Sequence, residues 1–192
     1  MPPAAPQSLD RDLHRFVRVV YGIDAAVPSH ERSLAQRYRG RVPAEIEIAP
    51  ITGTEFEELL PLIAAYQRFY EVEDVNDERN RVFFRRFVAP SEDGLLLGAR
   101  SEGRLVGYAC LYWHFSSLEA CESVLMNDLY VDDAVRGRGV GRALIEATAE
   151  VAREREVPFV EWSTAADNET AQRLYDSTGA ERTEWFSYEL RV

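Results

Sequence analysis

Apolar and polar positions alternate over residues 45–51, EIEIAPI, with Ile46 and Ile48 on one face, a pattern that predicts a strand. The period then lengthens. Phe56, Leu59, Leu60, Ile63, Ala64 and Phe69 recur three and four positions apart as a helical stripe, and Thr54-x-x-Glu57 has the spacing of a capping box. A second helix is predicted over 77–88, a short strand over 95–99, and, past a Glu102-Gly103 turn, a longer strand over 104–115. Residues 124–131 read as another strand, leading into a long helix with Val140, Ala143, Leu144, Ala147 and Val151 on its buried side. Pro158 restarts the chain, 159–164 is strand-like, Asp167 or Asn168 caps a helix over 169–178, and Gly179 stops it. Short strands over 180–183 and 185–190 close the order β, α, α, β, β, β, α, β, α, β, β. This alternation predicts an α/β fold: a single mixed, mostly antiparallel sheet of about six to seven strands, with helices on both faces.

Residues 1–44 read as an N-terminal extension, partly disordered, ahead of one domain over 45–192. Leu9, Leu13, Phe16, Val17 and Val20 recur at helical spacing, and Ser29 is placed to cap a second short helix that Gly40 and Pro43 would end. A brace on the chain's own domain is favoured over a dimer arm or a flap.

Charge sharpens this division. The 192 residues carry a net charge of −11. Residues 1–44 hold seven arginines against four acids, and residues 45–192 hold fifteen against 29. So acidic a domain repels nucleic acid and favours cationic partners. There is no apolar run of membrane-spanning length, and the opening MPPAAPQSLD lacks the order of a signal peptide, so a cytoplasmic protein without a membrane partner is expected. Cys110 and Cys121 fall on strands expected to be adjacent. They are read as small apolar side chains, with a cross-strand disulfide the less favoured alternative. No metal site is expected.

The chemistry begins where the strand DLYV runs through DDAV into RGRGVGR and the long helix. The first N–H groups of a helix lack internal partners and point outward, glycines admit an anion to the backbone, and Arg136, Arg138 and Arg142 add positive charge. The loop lacks the Gly-Lys-Ser/Thr of nucleotide hydrolases and fails the dinucleotide fingerprint at Arg142 or Leu144, according to which glycine starts the count. What it does fit is Arg136-x-x-Gly139-x-Gly141 after an apolar strand. Here the sequence resembles the GCN5-related N-acetyltransferase superfamily over residues 45–190, nearest its histone- and polyamine-acetylating branch. The resemblance implies acetyl-CoA as donor, with no metal. Its pantetheine arm would pair with the backbone of Leu129, Tyr130 and Val131, and its pyrophosphate would lie on Arg136, Gly137, Arg138, Gly139, Val140, Gly141 and Arg142. Many members are dimers, so a homodimer is a further implication.

The resemblance extends to Asn168-Glu169-Thr170-Ala171-Gln172-Arg173-Leu174-Tyr175. It implies that Asn168 and Ala171 serve the cofactor arm and that Tyr175 is the general acid that reprotonates the leaving thiolate. Seven residues are two helical turns, so Asn168 and Tyr175 can share a cleft. An amine of pKa ~10.4 must shed a proton before it attacks. Asp128 is the preferred acceptor over Glu122, because Asn127-Asp128 stands where polyamine acetyltransferases resemble Glu-Asp. Two residues of opposite parity cannot both face the cleft without a bulge. The acidic loop Glu71, Glu73, Asp74, Asp77, Glu78 and the aromatics Tyr70, Tyr112, Trp113 and Trp162 are candidates to line the acceptor site. The expected function is acetyl transfer from acetyl-CoA to a primary amine, a small cation such as a polyamine or an amino acid. A non-catalytic acyl-CoA-binding module and an enzyme acting on a basic protein or peptide are the alternatives.

Overall fold

The structure is a computed structural model that describes residues 46–192, so the readings made for residues 1–44 lie outside the described residues. One sheet runs β1 (Ile46–Pro50), β2 (Gly94–Ser101), β3 (Arg104–Ser116), β4 (Cys121–Val131), β5 (Val160–Glu161), in that spatial order. Every neighbouring pair is antiparallel except β4 and β5, which are parallel. The mixed α/β architecture is as the periodicity predicts. Among the described residues the strand count is five, because 180–183 and 185–190 form no strands and 159–164 contributes only two paired residues.

Helices cover both faces of the sheet. On one side lie α1 (Phe56–Phe69) and α2 (Asp77–Phe84), the latter continued by a 3-10 turn at Arg85–Phe87. Phe56, Leu59 and Ile63 of α1 pack there against Leu96, Tyr108 and Cys110. On the other side lies α3 (Val140–Glu154), whose Val140, Ala143, Leu144, Ala147 and Val151 are buried against Leu97, Val106, Leu111, Val124 and Met126. Each fully buried aliphatic side chain of that stripe contributes roughly 1.5–3 kcal/mol. A fourth helix, α4 (Glu169–Asp176), leans on the same layer through Leu174 and Tyr175.

Two local readings change, and the favoured reading of the cysteines stands. The cap of α1 is not Thr54 with Glu57: Glu55 precedes the helix, and its carboxylate accepts from the Thr52 amide (3.1 Å) and hydroxyl (2.8 Å), a capping-box pairing two residues earlier. Phe69 does not join the apolar stripe but stands exposed at the end of α1. Cys110 and Cys121 are free thiols that share no rung, since Cys110 lies opposite Asp128 and Cys121 opposite Ser116.

The feature that positions the site is a bulge. Cys110 pairs with Asp128 and Leu111 with Met126, which leaves Asn127 unopposed. The extra residue flips the side-chain parity of β4. Val124 and Met126 pack under α3, whereas Asp128 and Tyr130 come out on the α1 face.

Candidate active site

Parallel pairing of β4 with β5 stops at Leu125 and Glu161. Beyond that rung the strands separate, and among the described residues the edge of β4 from Met126 to Val131 has no strand beside it. Leu129, Tyr130 and Val131 lie on this free edge, half-buried. A strand edge of unpaired N–H and C=O groups is a template for an extended ligand.

At one end of the cleft stands the Gly/Arg loop. Gly137 and Gly139 have φ of +78° and +86°, in the left-handed region that favours glycine, and Gly139 is the N-cap of α3. A Cβ built on Gly137 would meet nothing within 4 Å, so the approach to the helix end is open. Gly141 has a different reason for being glycine: a Cβ there would lie 3.0 Å from Leu174 Cδ2, so it lets α3 and α4 approach closely. Val140 is buried in the sheet layer. Arg136 pairs with Asp133 at 2.6 Å, donates to the Val131 carbonyl at 3.1 Å, and lies over the rings of Phe69 and Tyr130 at 5.7 and 5.9 Å. Arg142 donates to the Ser177 carbonyl and hydroxyl. Arg138 is exposed.

The other end is closed by buried hydroxyls and one carboxylate. Asp128 is 6% exposed. Tyr66 of α1 donates a hydrogen bond to it, and Asn127 Nδ2 donates to its Oδ1 at 3.0 Å. Burial pushes its pKa up to about 6 against the pull of both hydrogen bonds. The rings of Tyr66, Tyr108 and Tyr130 form a triangle 6.2–6.3 Å apart, and the first two lie close enough to feel the Asp128 charge. The Tyr108 hydroxyl is buried without a hydrogen-bond partner among the described residues. Tyr175 packs edge-on against Trp162 at 5.5 Å, and burial, then the neighbouring Tyr70, pushes its pKa up to about 12. Asn168 caps α4 by accepting from the Ala171 amide at 3.1 Å. It also lines a cleft of about 640 Å³ with Phe69, Tyr70, Glu71, Asp167 and Arg173.

Asp128, Tyr175, Tyr70 and Trp162 therefore gather around the opening between β4 and β5. Others do not. Glu122, weighed as a second proton acceptor, lies up-strand of the bulge and pairs with Arg155 at 3.4 Å. Trp113 stacks on Arg155 at 3.8 Å on the α3 face, and Tyr112 stacks on Phe87 at 4.8 Å. The acidic loop is partly neutralised, with Asp74 paired to Arg79 and Glu78 to Arg81. Tyr66 was missed from the sequence. Its signal was a polar tip one turn before Tyr70, at the edge of the α1 stripe.

The site therefore combines a glycine-rich loop at the start of α3 with a buried carboxylate among tyrosines. The comparisons make the class specific. The acetyltransferase (GNAT) family model matches residues 59–180, and the chain belongs to that family. It is an N-acetyltransferase. It is 40% identical over 94 residues to the D-amino-acid N-acetyltransferase HPA3 of Saccharomyces cerevisiae, a match that spans 48% of this chain and 58% of the yeast enzyme. A solved probable acetyltransferase, 29% identical, superposes with a TM-score of 0.68 over 76% of this chain and 97% of its own. The aminoglycoside N-acetyltransferase AAC(6')-Iy, solved in complex with CoA, shares the fold with a TM-score of 0.67 at 17% identity, covering 76% of this chain and 94% of its own. Among the described residues, no three His, Cys, Asp or Glu cluster as a metal site, and no helix is long and apolar enough to cross a membrane.

Proposed function

We propose that this N-acetyltransferase takes its acetyl group from acetyl-CoA and delivers it to the primary amine of a small cationic acceptor, an amino acid or a polyamine. The observation that carries the reading is Asp128, a carboxylate buried at the free edge of β4 and held by Tyr66 and Asn127. The open approach at Gly137 and the left-handed Gly139 at the start of α3 support pyrophosphate binding, and the edge Leu129–Val131 supports the extended arm. Arg136 and Arg142 first serve to shape the loop, and Arg138 is the exposed cation that would meet phosphate.

In the proposed step Asp128 takes a proton from the acceptor ammonium, directly or through water. The freed nitrogen attacks the thioester carbonyl, and the C–N bond forms as the C–S bond breaks. Tyr175 then protonates the departing thiolate, and the second proton, shed by the acylated nitrogen, returns to the phenolate through solvent. Burial helps both groups. A carboxylate at about 6 is closer in proton affinity to an ammonium of pKa ~10.4 than an ordinary aspartate is. A phenol raised to about 12 stays protonated at neutral pH and keeps a proton to give. The half-exposed rings of Phe69 and Tyr70 and the carboxylates of Glu71 and Asp167 in the adjoining cleft suit a cation carrying an apolar or aliphatic body.

The test is thiol release from acetyl-CoA across a panel of D- and L-amino acids, polyamines and basic peptides. Turnover with a free amine is the expected result. Turnover on peptides alone would overturn the small-molecule reading, and thermal stabilisation by acetyl-CoA with no release on any member would overturn the proposed acceptor class altogether.

A further inference from the structure

Tyr66 donates to Asp128, and its neighbour Tyr108 does not. Strand register nevertheless sets Tyr108 beside the carboxylate. Asp128 stands opposite Cys110, and Tyr108 lies two residues back along β3 on the same α1 face, a diagonal position from which an aromatic side chain can reach it. The two phenols approach from different sides. Tyr66 is half-buried, and besides Asp128 it feels Tyr70 and Tyr175, which stand at the opening between β4 and β5. Tyr108 is 0% exposed, and besides Asp128 and Tyr66 it feels Cys110 and Tyr112 of its own strand. Tyr66 therefore meets the carboxylate from the cleft and Tyr108 from the core.

Burial pushes the Tyr108 pKa well above that of an ordinary phenol, so the group keeps its proton, yet its oxygen has no hydrogen-bond partner among the described residues. Phenylalanine would fill the same space without a buried, unbonded hydroxyl, so in the free protein this oxygen opposes folding. An ammonium that docks on Asp128 arrives from the cleft and competes with Tyr66 for the carboxylate oxygens. A donor on the core side escapes that competition. Hydrogen bonds that serve a reaction are often long in a free protein and close only in the complex.

We propose that Tyr108 is a positioning residue for Asp128: its hydroxyl bonds the carboxylate when the acceptor displaces Tyr66, and so keeps the base ionised and in place until it takes the proton. This rests on the proposed role of Asp128. The other groups that face the carboxylate are Asn127 of its own strand, which donates to it, and Cys110 and Tyr112 of β3, which are bonded to each other. All are neutral at neutral pH. Among the described residues no arginine contributes to the Asp128 shift, so hydrogen bonds, not a cation, favour its ionised form.

The experiment compares Tyr66→Phe, Tyr108→Phe and the double variant in the full chain, each keeping the rings. Titration of the Asp128 carboxyl by carbon NMR in the free protein needs no turnover. There Tyr108→Phe alone should leave the midpoint in place, Tyr66→Phe should raise it, and the double variant should raise it beyond the sum of the two by roughly 1 pH unit. With the acceptor that turns over best, Tyr108→Phe should move the limb of kcat, which reports the complex, up by about 1 pH unit and leave that of kcat/KM, which reports the free protein, where it is. Its melting temperature should hold or rise, since it loses only an unbonded hydroxyl. Additive shifts in the carboxyl titration overturn the proposal, as do a kcat limb that stays put, two limbs that move together, or a lower melting temperature, which would mean that the hydroxyl is already bonded in the free protein. If Asp128→Asn keeps full turnover the proposed function fails, while the carboxyl titration still decides whether Tyr108 stands in for Tyr66.

Discussion

The two ends of the cleft are built in opposite ways. The proposed donor end is a single run of chain, Leu129 to Arg142, and it offers mainly backbone: a strand edge unpaired among the described residues, two glycines at positive φ, and the start of α3. The proposed acceptor end is made of side chains from separate elements, with Tyr66 of α1, Tyr108 of β3, Asp128 of β4 and Tyr175 of α4, all buried or half-buried. An exposed backbone cradle tolerates changes of side chain and fails when its conformation changes. A buried carboxylate fails when its charge, its partners or its facing changes. Arg136 and Phe69 connect the two ends, since the arginine of the loop lies over the ring that closes α1.

This contrast can be broken at several points. The largest expected effect is at Asp128: Asp128→Asn should lower kcat/KM by about 10²–10⁴-fold while acetyl-CoA still raises the melting temperature. Unchanged turnover would remove Asp128 from the reaction. Tyr175→Phe should lower kcat about 10- to 100-fold with little effect on acetyl-CoA affinity, and a loss confined to affinity would move Tyr175 to the donor side. At the donor end, Gly139→Ala forces an L-residue to φ of +86°, a strain of about 1–2 kcal/mol that should weaken acetyl-CoA binding roughly 5- to 30-fold, measured by calorimetry, and leave the acceptor KM nearly unchanged.

Two smaller effects concern pH. In the proposed reaction Asp128 acts ionised, so kcat/KM should rise with pH through about 6, and Tyr66→Phe, which deletes a hydrogen bond that favours the carboxylate, should move that limb to higher pH. A limb that stays in place would detach Tyr66 from the base. The same pKa predicts a stability effect of the opposite sense. The folded value of about 6 lies above the ordinary 3.8, so folding disfavours the ionised form: the penalty is absent below the ordinary value and complete above 6. Asp128→Asn should therefore melt higher than the wild type at pH 8, by roughly 2–8 °C for each kcal/mol relieved, with the gap closing as the pH falls.

The two ends also differ in how far they can be read from sequence. Gly139, Gly141 and the apolar strand before them lie within a few residues, so local periodicity and turn chemistry indicate the strand–loop–helix directly. Even there the reason for Gly141 was different, because its close neighbour is Leu174, more than thirty residues away. Tyr66 and Asp128 are 62 positions apart, and no spacing rule links them. Residues 180–190 show the opposite failure. Their alternation is that of a strand, but a strand needs a partner edge, and propensity does not provide one.

The sequence by itself determined the elements that depend on near neighbours: the stripes of α1 and α3, the hairpin at Glu102-Gly103, the Gly/Arg loop and the Asn168 cap. Tertiary structure alone decided which face Asp128 takes. One unopposed residue, Asn127, reverses the parity of β4 after Met126 and sends the carboxylate to Tyr66 under α1 instead of beneath α3. A bulge is a mismatch between two strands, so neither strand's own sequence records it.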